Sequence, residues 1–489
     1  MKKLSKIVLA LVAAVTLFGC KGQMSENTVK KDFDPINLER RQELAQLALL
    51  GDYKVSEEVA AESLLSFLVS KDSENERAAL ASDYNLIKID TATVECHESA
   101  KSINRSSSIE EYEDVDFYLY QIGDALNENI GYAVLSNDRR IGEIITISDN
   151  SEFNDDITDS PFMQMFCTNL EEYIEETAEI WNSLTDNDLE QARSAGSDIV
   201  RSGNYTYSNW NYNSGNISSI IKTNWAQGYP YNAGIKAVKG NNYITGCGAT
   251  AVAQVMAFHE YPKSCTTNIK NEIKNKWSNA SSWNGEYDWS LIKADPSGAN
   301  LSTKGKMMLG AFMYQVAEGV KSSYGTSLTS TKTSNYPPFL QSIGYKTDSV
   351  QSYSYNAIKS SIDNKCPVII TGACKKNTKN HKFLWWKWET VTSYEGGHAW
   401  VIDGYCNMKC TATNKTNKND VQTFTADYVH CNLGWSGVSN GYYIENVFTV
   451  NKGIVASDST VEKIARSSYG ENDYYQYCLQ IITNIKPNN

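Results

Sequence analysis

The segment Gly246–Tyr261, GCGATAVAQVMAFHEY, leaves this chain the fewest choices. It carries no charge before Glu260 and meets no proline until Pro262. Small and apolar side chains surround every turn. A helix here has no face to offer water and has to run through a core. Cys247 then falls in its first turn, directly behind Thr245-Gly246. A helix N-terminus puts partial positive charge beside such a sulfur, favours the thiolate and offers backbone N–H groups to an oxyanion. A lone Cys in this setting is more often a small core hydrophobe, so a nucleophile reading needs a base.

The chain has five His. His97 lies in a strongly acidic region, His259 on the same helix as Cys247, and His381 among lysines. His430 sits in mid-strand, where a satisfied structural role is expected. His398 follows Glu395-Gly396-Gly397 and opens the apolar run HAWVIDGY, so a rigid strand would carry its imidazole to the rim of a cleft. A base needs a partner for its second nitrogen. Asn432, in His430-Cys431-Asn432-Leu433-Gly434-Trp435, has an amide carbonyl to give, and Trp435 can shield that bond from water. A plain turn Asn before Gly434 is the bland alternative.

Together these runs resemble the streptopain-like cysteine peptidases of the papain clan. Thr245-Gly246-Cys247-Gly248-Ala249-Thr250-Ala251, with Gln254 and Met256, is similar to their nucleophile helix. Trp225-Ala226-Gln227 with Pro230-Tyr231-Asn232 resembles the opening of their mature domain, His398–Tyr405 their His strand, and Asn432–Gly437 with Gly441-Tyr442-Tyr443 the strand after it. The resemblance implies an α+β, papain-like catalytic domain, a helical part facing a twisted antiparallel sheet, over residues 220–489. It implies hydrolysis of protein or peptide substrates by Cys247 and His398, with Gln227 at the oxyanion and no cofactor or metal. Leu433 stands where that family often has Trp, so the orienter of His398 is left among Asn432, Trp435 and the bare pair.

The N-terminal part reads differently. Residues 21–200 carry 14 Lys and Arg against 39 Asp and Glu; residues 201–489 carry 28 against 18. Two units of opposite sign attract one another. The weak positive excess of the second has no basic cluster with interleaved aromatics, so nucleic acid is not an expected partner. Helical spacing over Val55–Val69, short strands within 115–122 and 130–148, and an acidic helical run over Glu171–Arg193 outline a smaller α+β unit at 37–193. Gly131–Ser136 through Arg139-Arg140 and Glu143-Ile144 resemble the inhibitory propeptide of the same family, which makes that unit an intramolecular inhibitor. The Ser-, Asn- and Gly-rich stretch 194–219 reads as a linker holding the activation cut, with Arg193 and Arg201 as candidate sites. Lys375–Gly397, with Phe383, Trp385, Trp386 and Trp388, reads as a long loop beside the substrate cleft.

Lys2, Lys3 and Lys6 precede an apolar run, Ile7–Phe18, the pattern of a signal peptide over 1–19. Leu17-Phe18-Gly19-Cys20 resembles the bacterial lipobox. This implies lipidation at Cys20, a tether over 20–36, and attachment of the precursor to a membrane only through that lipid. The precursor is then exported, and the mature enzyme is periplasmic or extracellular. Export permits disulfides, but the eleven Cys show no framework spacing. Three other readings remain open at this point. One is an acyltransferase or transglutaminase-like enzyme with the same Cys/His chemistry. Another is a non-catalytic surface-binding lipoprotein. The third is a zinc site drawn from Cys406, Cys410, His430 and Cys431.

Overall fold

The computed structural model describes residues 35–74, 80–94, 112–149, 151, 153, 161–195, 205–383, 386–449 and 477–488. The signal peptide, Cys20, most of the tether and Arg201 lie outside the described residues. Among the described residues no helix is long and apolar enough to cross a membrane. The chain divides into two compact units.

The first takes in residues up to 147, 152–214 and 407–428. It begins with α1 (Pro35–Leu50) and α2 (Glu57–Glu74). Ser56 caps α2 by accepting from the Val59 N–H. An antiparallel meander follows, β1 (Tyr84–Val94), β2 (Val115–Asp124) and β3 (Asn129–Ser136), and then β4 (Ile144–Asp149). The expected acidic helical run is two helices, α3 (Pro161–Asn182) and α4 (Asp186–Ala195). Thr185 and Asp188 cap the second one reciprocally.

At the centre of this unit Arg140 is fully buried. Its Nε and Nη2 donate to Asp138 at 2.9 and 2.6 Å. The rings of Tyr112, Tyr53 and Trp181 surround the guanidinium at 3.8, 4.1 and 4.7 Å. Lys54 approaches the same carboxylate at 3.3 Å.

The linker expectation for 194–219 fails over 205–216. Two strands stand there, β5 (Tyr205–Tyr207) and β6 (Asn211–Asn216), and β5 pairs antiparallel with residues 412–414. The Tyr-Thr-Tyr core of β5 has the β propensity that the surrounding Ser, Asn and Gly obscured.

The second unit takes in 148–151, 215–406 and 429–489. Its helices are α5 (Ala233–Lys239), α6 (Cys247–Phe258), α7 (Thr267–Lys276), α8 (Thr303–Gly319), α9 (Tyr336–Ser342) and α10 (Tyr355–Asp363). Residues 248–257 of α6 are all buried, as its sequence requires. They join one core with Trp225, Ile235, Phe312, Ile369 and Val401. Helix α5 approaches α8 so closely that a Cβ on Gly234 would stand 2.3 Å from the Gly310 carbonyl oxygen.

The strands are β7 (Val368–Phe383), β8 (Trp386–Asn414), β9 (Val421–Asn432), β10 (Gly441–Ile444) and β11 (Tyr477–Ile482). They are ordered β10-β9-β8-β7-β11, with residues 351–352 at the edge. The distal ends of β8 and β9 fall in the first unit. Helices on one side and an antiparallel sheet carrying His398 on the other make this an α+β, papain-like fold.

The long loop expected over Lys375–Gly397 is instead a hairpin. It is paired from Phe383↔Trp386 down to Val368↔Ile402, with a register shift between Val391 and Ser393. The Thr, Val, Tyr and Trp content of this run outweighs its lysines.

Candidate active site

Gly246 ends the approach to α6 at φ 86°, where a Cβ would meet the Thr329 carbonyl oxygen at 2.7 Å. A residue with a side chain is therefore excluded there on two counts. Gly248 lies against the Tyr336 hydroxyl at what would be 2.1 Å from a Cβ. Between these two glycines stands Cys247, half-buried, as the first residue of the helix. The carbonyl of Gln227 accepts from the Thr245 N–H at 3.0 Å, which ties the Trp225-Ala226-Gln227 segment to the approach. This bond places the Gln227 main chain beside the approach to Cys247.

Burial pushes the Cys247 thiol up, while the backbone N–H groups of Ala399, Gly248 and Cys247 itself pull it down.

His398 is buried, and desolvation pulls its imidazole down to about 4 against the opposing effect of its bond to Leu433. Burial disfavours the charged form of both groups. The His398 Nε2–H donates to the Leu433 carbonyl oxygen at 2.9 Å, which fixes the tautomer. Trp435 stacks on the imidazole with centroids 4.5 Å apart, and Trp400 lies against it at 5.8 Å.

Asn432, one of the orienters of His398 that the sequence left open, turns its amide elsewhere. Its Nδ2 donates to the Thr223 carbonyl at 2.8 Å, and its Oδ1 accepts from Gln254 Nε2 at 3.0 Å. The amide is fully committed to the helix and to the entry segment. The acceptor for His398 is the main chain one residue further on.

Gln254, buried on α6, also accepts from the Thr223 hydroxyl and the Trp225 N–H, both at 3.2 Å. It joins three segments of the site. The only hint of this in the sequence is a lone amide among Ala, Val and Met. Asn440 adds a further link, its Oδ1 accepting from the Leu433 N–H at 2.8 Å.

The other histidines are accounted for where they are described. His259 Nε2 bonds the Ile485 carbonyl, and His430 lies between Asp403 and Asp149. Among the described residues no group of three or more His, Cys, Asp or Glu is placed to hold a metal ion.

Stacking without hydrogen bonding makes Trp435 a positioning residue for the His398 ring. Trp435→Ala is expected to lower kcat about 10²-fold with little change in KM, since a ring free to tilt loses alignment. Steady-state kinetics checks this; a change in KM alone would assign Trp435 to substrate binding.

Residues 225–443 match the model of the Peptidase C10 family. Streptopain from Streptococcus pyogenes is 25% identical over 347 residues, covering 67% of this chain and 73% of the relative. Among solved structures, a prointerpain A fragment from Prevotella intermedia matches with a TM-score of 0.42 at 17% identity, over 76% of this chain and 94% of that one. Active interpain A from the same organism matches with a TM-score of 0.33 at 18% identity, over 56% and 95%. Over residues 225–443, which take in the opening segment, the Cys247 helix, the His398 strand and the Asn432–Tyr443 turn, the chain is similar to the streptopain-like peptidases, and it is a cysteine-type endopeptidase.

Proposed function

We propose that this peptidase is made as a lipid-anchored zymogen in which Cys247 is the nucleophile and His398 its acid and base. The Cys247 thiolate attacks the peptide carbonyl, and the backbone N–H groups at the start of α6, with Gln227, hold the oxyanion. His398 protonates the leaving amine. It then takes a proton from the water that hydrolyses the thioester. Trp435 and the Leu433 carbonyl keep the imidazole in line, and Asn432 holds the turn that presents that carbonyl. The signal peptide at 1–19 exports the chain and Cys20 carries the lipid. A cut within 194–219 leaves the inhibitory segment on the membrane and frees the catalytic unit.

The observation that carries this reading is the Gln254–Asn432 hydrogen bond at 3.0 Å, which ties the Cys247 helix to the turn whose Leu433 carbonyl holds His398. The test is alkylation with iodoacetamide, followed by peptide mapping and by separation of membrane and soluble fractions. In the intact chain the Cys247 adduct should form slowly, and only above the ordinary thiol pKa of about 8.5. After processing it should form rapidly near pH 6 and be found in the soluble fraction. No Cys247 adduct in either form would end the nucleophile reading. A processed catalytic unit that stays with membranes at high salt would end the anchor reading.

A further inference from the structure

His430 is a buried ionisable group with no part in the chemistry described so far. It is 3% exposed. Its Nδ1 lies 2.5 Å from Asp403 Oδ1, and its Nε2 lies 3.0 Å from Asp149 Oδ2. A neutral imidazole has one N–H and can satisfy only one of two carboxylates, so the ring between them is an imidazolium. Asp403 belongs to β8, is fully buried, and also accepts from the Ile221 N–H at 3.0 Å. Tyr442 of β10 closes a further side of the ring, with centroids 4.9 Å apart. These three residues, from three different strands, are the groups that face His430.

Asp149 stands apart from the others in origin. It comes from the acidic N-terminal part of the chain, yet residues 148–151 belong to the compact unit that holds Cys247 and His398. Main-chain bonds hold this short stretch as well. The Asp149 N–H donates to the Asn440 carbonyl at 2.6 Å, the Ser148 hydroxyl donates to the same oxygen at 3.2 Å, and the Ser151 hydroxyl accepts from the Ser439 N–H at 2.9 Å. An extended segment is thus added to the Ser439–Asn440 edge, with one carboxylate reaching a buried cation behind it.

We propose that Ser148, Asp149 and Ser151 are the docking residues through which the N-terminal segment stays bound to the catalytic unit, and that the Asp149–His430 ion pair makes this docking proton-dependent. The inference rests on the inhibitory role proposed for that segment and deepens it. Its occupant is this chain's own acidic strand, because that strand is seated there. A buried ion pair broken from one side leaves an uncompensated charge, so deprotonation of His430 loosens the strand.

The sign follows from the ring. Burial alone would pull His430 down, but Asp403 and the bonds to Asp149 and Asp403 raise it to about 9. Docking therefore stabilises the protonated form. The contribution is complete below the pKa His430 has when Asp149 is gone, and it is lost as pH rises through about 9.

Hydrogen exchange on the full-length chain tests this, read by mass spectrometry with intrinsic rates corrected for pH. A Cys247→Ala background keeps the chain from cutting itself, and no hydrolysis is measured. Failure of the catalytic reading is thereby kept apart from failure of this one. In the parent chain, protection of the Asp149 and Ser439 amides should be full near pH 6, fall at least tenfold as pH rises through about 9, and change no further above that. Asp149→Asn, nearly isosteric, should lower protection at least tenfold at pH 7 and remove the alkaline step. His430→Gln serves as the second variant and should also remove that step. Equal protection in parent and Asp149→Asn, or an alkaline step that persists in both variants, would overturn the proposal.

Discussion

Cys247→Ala is expected to remove peptide hydrolysis by at least about 10⁴-fold while leaving the fold intact. The side chain loses a single sulfur atom and is only half-buried. The residues that define its place are Gly246 and Gly248, neither of which has room for a Cβ. Little packing is lost, so thermal unfolding should move by no more than about 1 kcal/mol. His398→Ala should match it in activity, because a thiol without its imidazole has no proton acceptor near neutral pH. The double variant should be no worse than either single one, since residues that act as a unit are not additive. Turnover of a peptide substrate by purified Cys247→Ala at more than a hundredth of the parent rate would remove Cys247 from the chemistry.

The largest effect on stability is expected at Arg140→Ala in the N-terminal unit. The change deletes a buried cation and leaves Asp138 without its bidentate partner. It also empties a box of three rings, Tyr53, Tyr112 and Trp181. Breaking a buried pair from one side costs about 3–5 kcal/mol, and the lost ring contacts add to this. Lys54, at 3.3 Å from Asp138, can offset part of the charge but none of the packing. Arg140→Lys should recover less than half of the loss, because an ammonium keeps the charge without the planar fork or the ring stacking. Calorimetry of the full-length chain checks this through the transition that belongs to the N-terminal unit. A loss below about 1 kcal/mol would mean that the box is loosely built.

Much of the site was legible in the sequence for a simple reason. A sixteen-residue run with charge only at its end can hardly be other than a buried helix, and that fixes where Cys247 begins. The strand that carries His398 was legible from its apolar run, although Gly396 and Gly397, read as lying before it, are part of β8. The errors have physical causes too. Tyr205-Thr206-Tyr207 was read through its Ser and Asn neighbours, although a three-residue strand needs only its own residues and a partner at 412–414. The stretch 375–397 was read through its lysines, although charged side chains are tolerated on a strand whose backbone is paired.

Asn432 is the instructive case. It carries the right chemical group, and the residues around it resemble the family pattern. Yet its amide is consumed by Gln254 and Thr223, and the acceptor for His398 is a carbonyl that every residue type possesses. A role filled by the main chain leaves no letter in the sequence.

That same carbonyl bears on how this peptidase can change over time. An orienting side chain is lost in a single substitution, whereas the Leu433 oxygen survives any replacement of the leucine that preserves the turn. Drift at position 433 is thereby uncoupled from the catalytic geometry. The vulnerability passes instead to whatever sets the path of the chain: Gly434 at φ 72°, and Asn440, which holds the Leu433 N–H. A saturation library across this turn should therefore tolerate many residues at 433. Its inactive members should gather at 434 and 440, which touch neither sulfur nor imidazole.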